Sequence, residues 1–348
     1  MTYDIAGKLS LEIPVFQAPM AGTATPALAA AVSEAGGLGG LGLAEYTVEE
    51  AATLIDETVA RTSRAFNVNL FCHRQQSCSA TVGRAWIEST MPLLQRSGAT
   101  PPDALQEVLS SFIGDEAMLA MLLEKKPRVI SFHFGLPDQN QLSALRETGA
   151  LLMATATSLP EAEHLAAAGL DAVIAQGWGA GGHRGIFDPD GPDKQLDTES
   201  LTRLSASKIA LPIIAAGGIM DGADVKRALS WGAVAAQMGT AFISCPESAA
   251  DELYRASLNA QSSTRMTRAV SGRPARAIKN EAINFLAGLP ENQVPPFPFA
   301  YGLTDALTDA ARKSQDARFA THLAGSGVAR SRHISTAALM EEIAKALA

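Results

Sequence analysis

Residues 151–185 read LLMATATSLPEAEHLAAAGLDAVIAQGWGAGGHRG, one complete unit of a repeating plan. The first six, LLMATA, form a continuous apolar run of the kind a strand buried on both faces requires. Ser158 followed by Glu161 is a capping-box pattern; it opens a helix running to Ala168, which Gly169 ends. AVIAQ at 172–176 is a second buried strand. It runs straight into a loop whose glycines at 177, 179, 181, 182 and 185 surround His183 and Arg184. Glycine tolerates positive φ and lets backbone approach a ligand closely, so this strand end is expected to carry a site. The competing reading is a flexible surface loop with an incidental histidine.

The same strand–helix beat recurs on both sides. Strands are expected at 15–18, 38–43, 66–71 and 129–134 before this unit, and at 212–216 and 233–238 after it. Helical patterns fall between them at 25–37, 47–62, 139–148, 198–207 and 221–231. Eight apolar strands alternating with helices predict an α/β fold, a closed (β/α)8 barrel of the TIM type. An open dinucleotide-binding sheet is disfavoured, because no GxGxxG opens a helix with an acidic residue about 20 positions on. Two segments break the beat. A helical insertion at about 73–128 is expected to hold helices at 86–94, 104–112 and 116–125. The remainder, 247–348, reads as a carboxyl-terminal helical extension covering the barrel mouth, with a Pro/Phe-rich break at 294–300. The division is thus a barrel over 1–246 and an extension over 247–348.

Composition narrows the partners. The chain has 348 residues, 47% hydrophobic and 18% charged, with a net charge of −8. That balance disfavours nucleic acid and anionic membrane, which favour basic patches. No apolar run approaches the roughly 20 residues of a spanning helix, and no basic-then-apolar leader opens the chain. Cys72, Cys78 and Cys245 lack paired spacing, so neither a disulfide framework nor structural zinc is expected. The histidines form no HxxxH or HExxH pair, so no metal is expected. These features suit a cytoplasmic protein acting on a small molecule, with a homodimer left open.

In such a barrel the chemistry gathers where the strands end. Those ends collect Met20, Ala21, Gly22, Asn69, His133, Thr155, Gln176, His183, Gly217, Gly218, Gln237, Met238, Gly239 and Thr240. The pairs GGI and MGT follow the seventh and eighth strands, where amides freed by glycine can hold a phosphate without lysine. Asn69 and Gln176 are neutral amides suited to the edge of a heteroaromatic ring, or to barrel-end backbone groups. Beside a phosphate site they favour an isoalloxazine.

These residues resemble a known family, the nitronate monooxygenases. The matching motifs are QAPMAG (17–22), AAAVSEAGGLGGLG (29–42), FNVNLF (66–71), SFHFG (131–135), QGWGAGGHRG (176–185), AAGGIMDG (215–222), QMGTAF (237–242) and LAGSGVARSR (323–332). SFHFG together with AGGHRG is similar to the bacterial class I branch. The resemblance implies a barrel holding FMN through Asn69, Gln176, Gly181, Gly218 and Gln237 to Thr240, with Met20, Ala21, Gly22 and Gly217 beside them. It implies oxidation of an alkyl nitronate, propionate-3-nitronate foremost, with O2 to a carbonyl compound and nitrite, without metal. His183 is then the candidate base for neutral nitroalkanes, or, protonated, a stabiliser of the anionic nitronate. His133 is expected as a second polar wall, and Arg184 as a structural ion pair. His73, His164, His322 and His333 are expected at the surface or in packing. Phe299 and Tyr301 either cover the flavin from the extension or, as is commoner for a Pro/Phe-rich break, simply pack. One departure stands out: this chain has Gly179 where the family carries an acidic residue. The alternative reading is an FMN-dependent NAD(P)H:quinone or enoyl-ACP reductase on the same barrel, and a third is a ligand-binding barrel without redox turnover.

Overall fold

A computed structural model describes residues 5–348. Eleven strands appear in chain order: β1 (Val15–Gln17), β2 (Gly39–Gly42), β3 (Phe66–Phe71), β4 (Val129–His133), β5 (Leu151–Ala156), β6 (Ala172–Gln176), β7 (Gly182–His183), β8 (Ile213–Ala216), β9 (Ala235–Met238), β10 (Thr264–Thr267) and β11 (Ala275–Ile278). Eight of them form one parallel sheet in the order β1-β9-β8-β6-β5-β4-β3-β2. The edges meet: Gln17 N–H donates to Leu38 O at 2.8 Å and Leu38 N–H to Val15 O at 2.9 Å, a parallel bridge that closes the barrel. The seventh and eighth barrel strands are therefore β8 and β9.

Closure follows from the residues on the two faces. Phe16, Leu38, Val129, Met153, Ile174 and Ile214 fill the barrel interior. Val68, Leu70, Ile130 and Val173 point outward under helices. Both faces being dry explains why the strands lack polar alternation. At Gly39 the helix Pro26–Glu34 comes so close that a Cβ would stand 1.9 Å from Ala29 O. Thr25 caps that helix by accepting from Leu28 N–H, with proline at its first position.

Three expectations change. Residues 104–112 are not helical; the stretch runs across the mouth, where Leu109 packs on Phe134 and Phe297, so packing overrides helical propensity. The extension is not all helical, because β10 and β11 form an antiparallel hairpin that pairs through β11 with β7. Nor does all of it lie over the mouth: the last helix, Thr336–Leu347, buries Leu339, Met340 and Ile343 against Val15, Leu28 and Val225 on the outside of the barrel. It takes the place of the eighth barrel helix. The capping box at Ser158 is half formed, since Glu161 N–H donates to Ser158 Oγ at 3.4 Å while the Glu161 carboxylate turns elsewhere. It accepts from Thr157 N–H at 2.6 Å and from Phe187 N–H at 2.8 Å, tying the loop after β7 to the end of β5.

Candidate active site

The strand ends open into a cavity of about 720 Å³ at the carboxyl mouth. That lies within the usual size range of small-molecule sites. Met20, Ala21, Gly22, Asn69, His133, Gln176, Gly181, His183, Gly217, Gly218, Gln237, Gly239 and Thr240 all line it. Met238 does not. It is buried between β9 and the outer helices, as the side-chain alternation of a strand requires when Gln237 faces inward.

His183 is held from every side. Its backbone pairs with Ala275 on β11, and its carbonyl accepts from Gln176 Nε2 at 3.0 Å. Gln176 Oε1 accepts from Gly185 N–H at 2.8 Å, so this amide grips both ends of the loop that carries the histidine. One Gln176 N–H is left over for a ligand. His133 Nε2 also lies 3.2 Å from the His183 carbonyl; since a carbonyl only accepts, this nitrogen carries the proton. Nδ1 of His133 then accepts from the Thr155 hydroxyl at 3.0 Å. His133 is thus a positioning residue that touches the cavity.

The His183 ring is caged by Phe134, Phe297, Tyr301 and Phe71, with centroids 5.5 to 6.3 Å away. Phe134 adopts a left-handed backbone, φ +72°, a conformation that a bulky residue keeps only where its surroundings enforce it. The ring's Nε2 sits 2.7 Å from Ser271 Oγ. Nδ1 makes no hydrogen bond among the described residues. Burial above all, then the neighbouring His133, Arg273 and His73, push His183 down to about 3. Burial, then Arg273, brings His73 to about 4, and His133 falls to about 4 by burial with Arg273 and Arg184 adding to it. Arg273 itself is 4% exposed, lies 4.3 Å over the Phe134 ring, and donates to Ile186 O at 2.7 Å. A cation so placed penalises a second positive charge at His183.

Arg184 forms the structural ion pair, bidentate to Asp193 at 2.8 and 3.0 Å, with further donation to Gln176 O and Thr157 O. Near β8, Gly217 and Gly218 have φ of +123° and +72°. Thr198 Oγ1 donates to Gly217 O at 2.8 Å and Arg330 to Gly218 O at 3.0 Å, fixing this turn. Thr240 Oγ1 accepts from Gly325 N–H at 2.9 Å and opens the short helix Thr240–Ile243, whose first amides have no intrahelical acceptor. The Gln237 side chain makes no hydrogen bond among the described residues. At the Gly179 departure, a Cβ would stand 2.7 Å from Ser326 Oγ, and Gly179 O accepts from Ser326 N–H at 2.9 Å.

Several residues join the site without a local signal in the sequence. Ser271 and Arg273 lie in the β10–β11 turn, and Phe297 in the Pro/Phe-rich break. Tyr301 lines the cavity, whereas Phe299 does not. His322 was expected at the surface or in packing, yet it lines the cavity while 4% exposed. His73 is packed at 1% exposure, and His164 is exposed.

The depressed histidines give a stability prediction. His73, His133, His183 and His322 all titrate near 3 to 4 in the fold, below the ordinary value of 6.5. The unfolded chain therefore takes up protons first as pH falls, so their contribution is complete above about pH 6.5 and is lost below it. Each costs about 1.4 kcal/mol per pH unit in that window. The urea midpoint should hold steady from pH 8 to 7 and drop steeply between pH 6.5 and 4.5; a flat profile would contradict these assignments.

A closed parallel barrel with a deep cavity at the carboxyl mouth, an imidazole aimed into it and glycine turns after β8 and β9 defines a small-molecule barrel enzyme. Comparison with known proteins gives the family. The model of the nitronate monooxygenase family matches residues 4–346. A nitronate monooxygenase of Paraburkholderia phytofirmans is 46% identical over 342 residues, 97% of this chain and 93% of that protein. One from Pseudomonas aeruginosa is 43% identical, covering 100% of this chain and 99% of the relative. Among solved structures, a nitroalkane oxidase from Streptomyces ansochromogenes superposes with a TM-score of 0.87 at 35% identity, over 98% of this chain and 96% of that one. FabK from Thermotoga maritima gives 0.74 at 26% identity, over 98% and 94%. The chain belongs to the nitronate monooxygenase family and is an oxidoreductase of that family. Among the described residues no helix is long and apolar enough to cross a membrane.

Proposed function

We propose that this chain is an FMN-dependent nitronate monooxygenase, oxidising alkyl nitronates with O2 to a carbonyl compound and nitrite in the cytoplasm. Propionate-3-nitronate, the substrate the resemblance suggests, is the natural first assay. The observation that carries the reading is the caged, uncharged His183 facing a cavity whose inner wall offers only neutral donors and acceptors.

The cofactor fits that wall. Gln237 has a free amide, Asn69 keeps Oδ1 open while its Nδ2 donates to Ser131, and Gln176 keeps one N–H. Gly217, Gly218, Gly239 and Thr240 would hold the phosphate through backbone amides and the Thr240 hydroxyl. When bound, FMN would supply the electron acceptor for the nitronate and the route of those electrons to O2.

The protein's own residues prepare the substrate. For a neutral nitroalkane, Nδ1 of His183 accepts the α-proton while Nε2–H donates to Ser271 Oγ. For a preformed nitronate the opposite tautomer serves, with Nδ1–H donating to the anion and the Ser271 hydroxyl donating to Nε2. A titration near 3 leaves the resting ring neutral: as a base it holds the α-proton only transiently, as an imidazolium, and toward a preformed nitronate it donates as the neutral Nδ1–H tautomer. The aromatic cage fixes the ring and excludes water.

The test is the chromophore. Heat release from the purified protein should give FMN at one per chain, and anaerobic NAD(P)H should leave its absorbance nearly unchanged over minutes. Colourless protein unable to take up FMN overturns the proposal. Rapid bleaching by NAD(P)H favours the reductase alternative.

A further inference from the structure

The inner and outer halves of the cavity differ in charge. Around His183 the lining is neutral, but the outer rim carries Glu45, Asp251, Asp305 and Asp309. Among the described residues Arg312 is the one Arg or Lys in the lining, and it is already paired: Nε donates to Asp251 Oδ2 at 2.7 Å and Nη1 to Asp309 Oδ1 at 3.4 Å. Glu45 accepts from Tyr301 Oη at 3.4 Å, and Asp305 makes no close ion pair among the described residues, Arg312 acting on it only through space. Partial desolvation at the cavity edge, then Glu45 and Asp309, outweigh the opposing pull of Arg312 and hold Asp305 up at about 7, although part of its side chain reaches solvent.

A second, independent observation points the same way. His322 stacks on Tyr254, with centroids 4.3 Å apart and planes at 11°, and lines the same side of the cavity. Its Nδ1 lies 3.1 Å from Ser257 Oγ, whose own proton goes to Leu253 O at 2.9 Å. Ser257 therefore accepts, Nδ1 of His322 carries the proton, and Nε2 is left as a lone-pair acceptor. That nitrogen is buried and has no partner among the described residues. Carboxylates and an unpaired ring nitrogen are all acceptors. A ligand end placed among them is best a donor, and a carboxylate there would meet four carboxylates against the single, already paired Arg312.

We propose that this rim selects nitronates whose non-reacting end is an ammonium group, and discriminates against those ending in a carboxylate. The inference rests on the nitronate reading and narrows it: propionate-3-nitronate would be turned over, but as a disfavoured member of the substrate class.

The experiment compares preformed nitronates of three matched nitroalkanes, 3-nitropropan-1-amine, 1-nitrobutane and 3-nitropropionate, by nitrite release in the FMN-loaded enzyme at pH 8. The ammonium-to-carboxylate ratio of kcat/KM should be about 10 or more, a charge-selection effect of the usual size. It should shrink at 0.5 M salt, where screening at the rim is strong. Asp305→Asn with Asp309→Asn, both on an exposed helix face, should compress it several-fold, and His322→Phe should lower turnover of the amine more than that of nitrobutane. A ratio of one or below in the wild type, or an unchanged ratio in the double variant, overturns the inference while leaving the nitronate reading standing. No nitrite from any of the three overturns both.

Discussion

The His183→Asn enzyme loses about 10²–10⁴-fold in kcat/KM on a neutral nitroalkane, the usual worth of a positioned base, and much less on the preformed nitronate. The split follows from geometry. An asparagine amide occupies the place of Nδ1 and can still donate to an anion, but it cannot take a proton. The ring it replaces is uncharged, fixed by Ser271 at 2.7 Å and by the aromatic cage, so the loss reports chemistry and not a relocated side chain. Because His183 titrates near 3, the wild-type kcat/KM on nitronate should show no limb from this group between pH 6 and 8. Parallel rates of nitrite release on both substrates check the claim. Equal losses on the two would reduce His183 to positioning, and unchanged rates on both would remove it from the mechanism.

The Asp193→Ala enzyme is less stable by about 3 kcal/mol, the cost of leaving a buried charge unpaired. Arg184 is 1% exposed, and Asp193 is its only carboxylate partner among the described residues. Its remaining hydrogen bonds go to the carbonyls of Gln176 and Thr157, which cannot neutralise it. Asp193→Asn, which keeps an acceptor at the same place, should cost less. The damage reaches function, because Arg184 anchors the loop that presents His183. Urea midpoints of both variants test this; midpoints equal to the wild type would show that solvent already compensates the guanidinium.

The barrel was legible because buried parallel strands are continuous apolar runs. Phe66–Phe71, Leu151–Ala156 and Ala172–Gln176 are read from sequence with their observed bounds. The loop after β6 was legible for its glycines, and so was the loop after β8. What was hidden depends on tertiary contact. Thr264–Thr267 and Ala275–Ile278 are four residues each, too short and mixed to announce strands, and they gain their character only by pairing with each other and, through β11, with β7. Residues 104–112 have helical composition but are drawn across the mouth by Leu109. Asp305 and Asp309 sit at helical spacing, which ordinarily marks a solvated face; only the folding of that helix beside Glu45 makes them a rim. The double grip of Gln176 on residues 183 and 185 could not be separated from a ligand contact by residue type. Met238 belongs to the Gln237–Thr240 stretch that the resemblance implies, and strand alternation turns its side chain outward.

The most direct measurement is oxygen uptake and nitrite release by the FMN-loaded enzyme supplied with a preformed primary alkyl nitronate. The account predicts that oxygen is consumed as nitrite appears, with no NAD(P)H required. Oxygen uptake without nitrite, or no reaction until NAD(P)H is added, would contradict it.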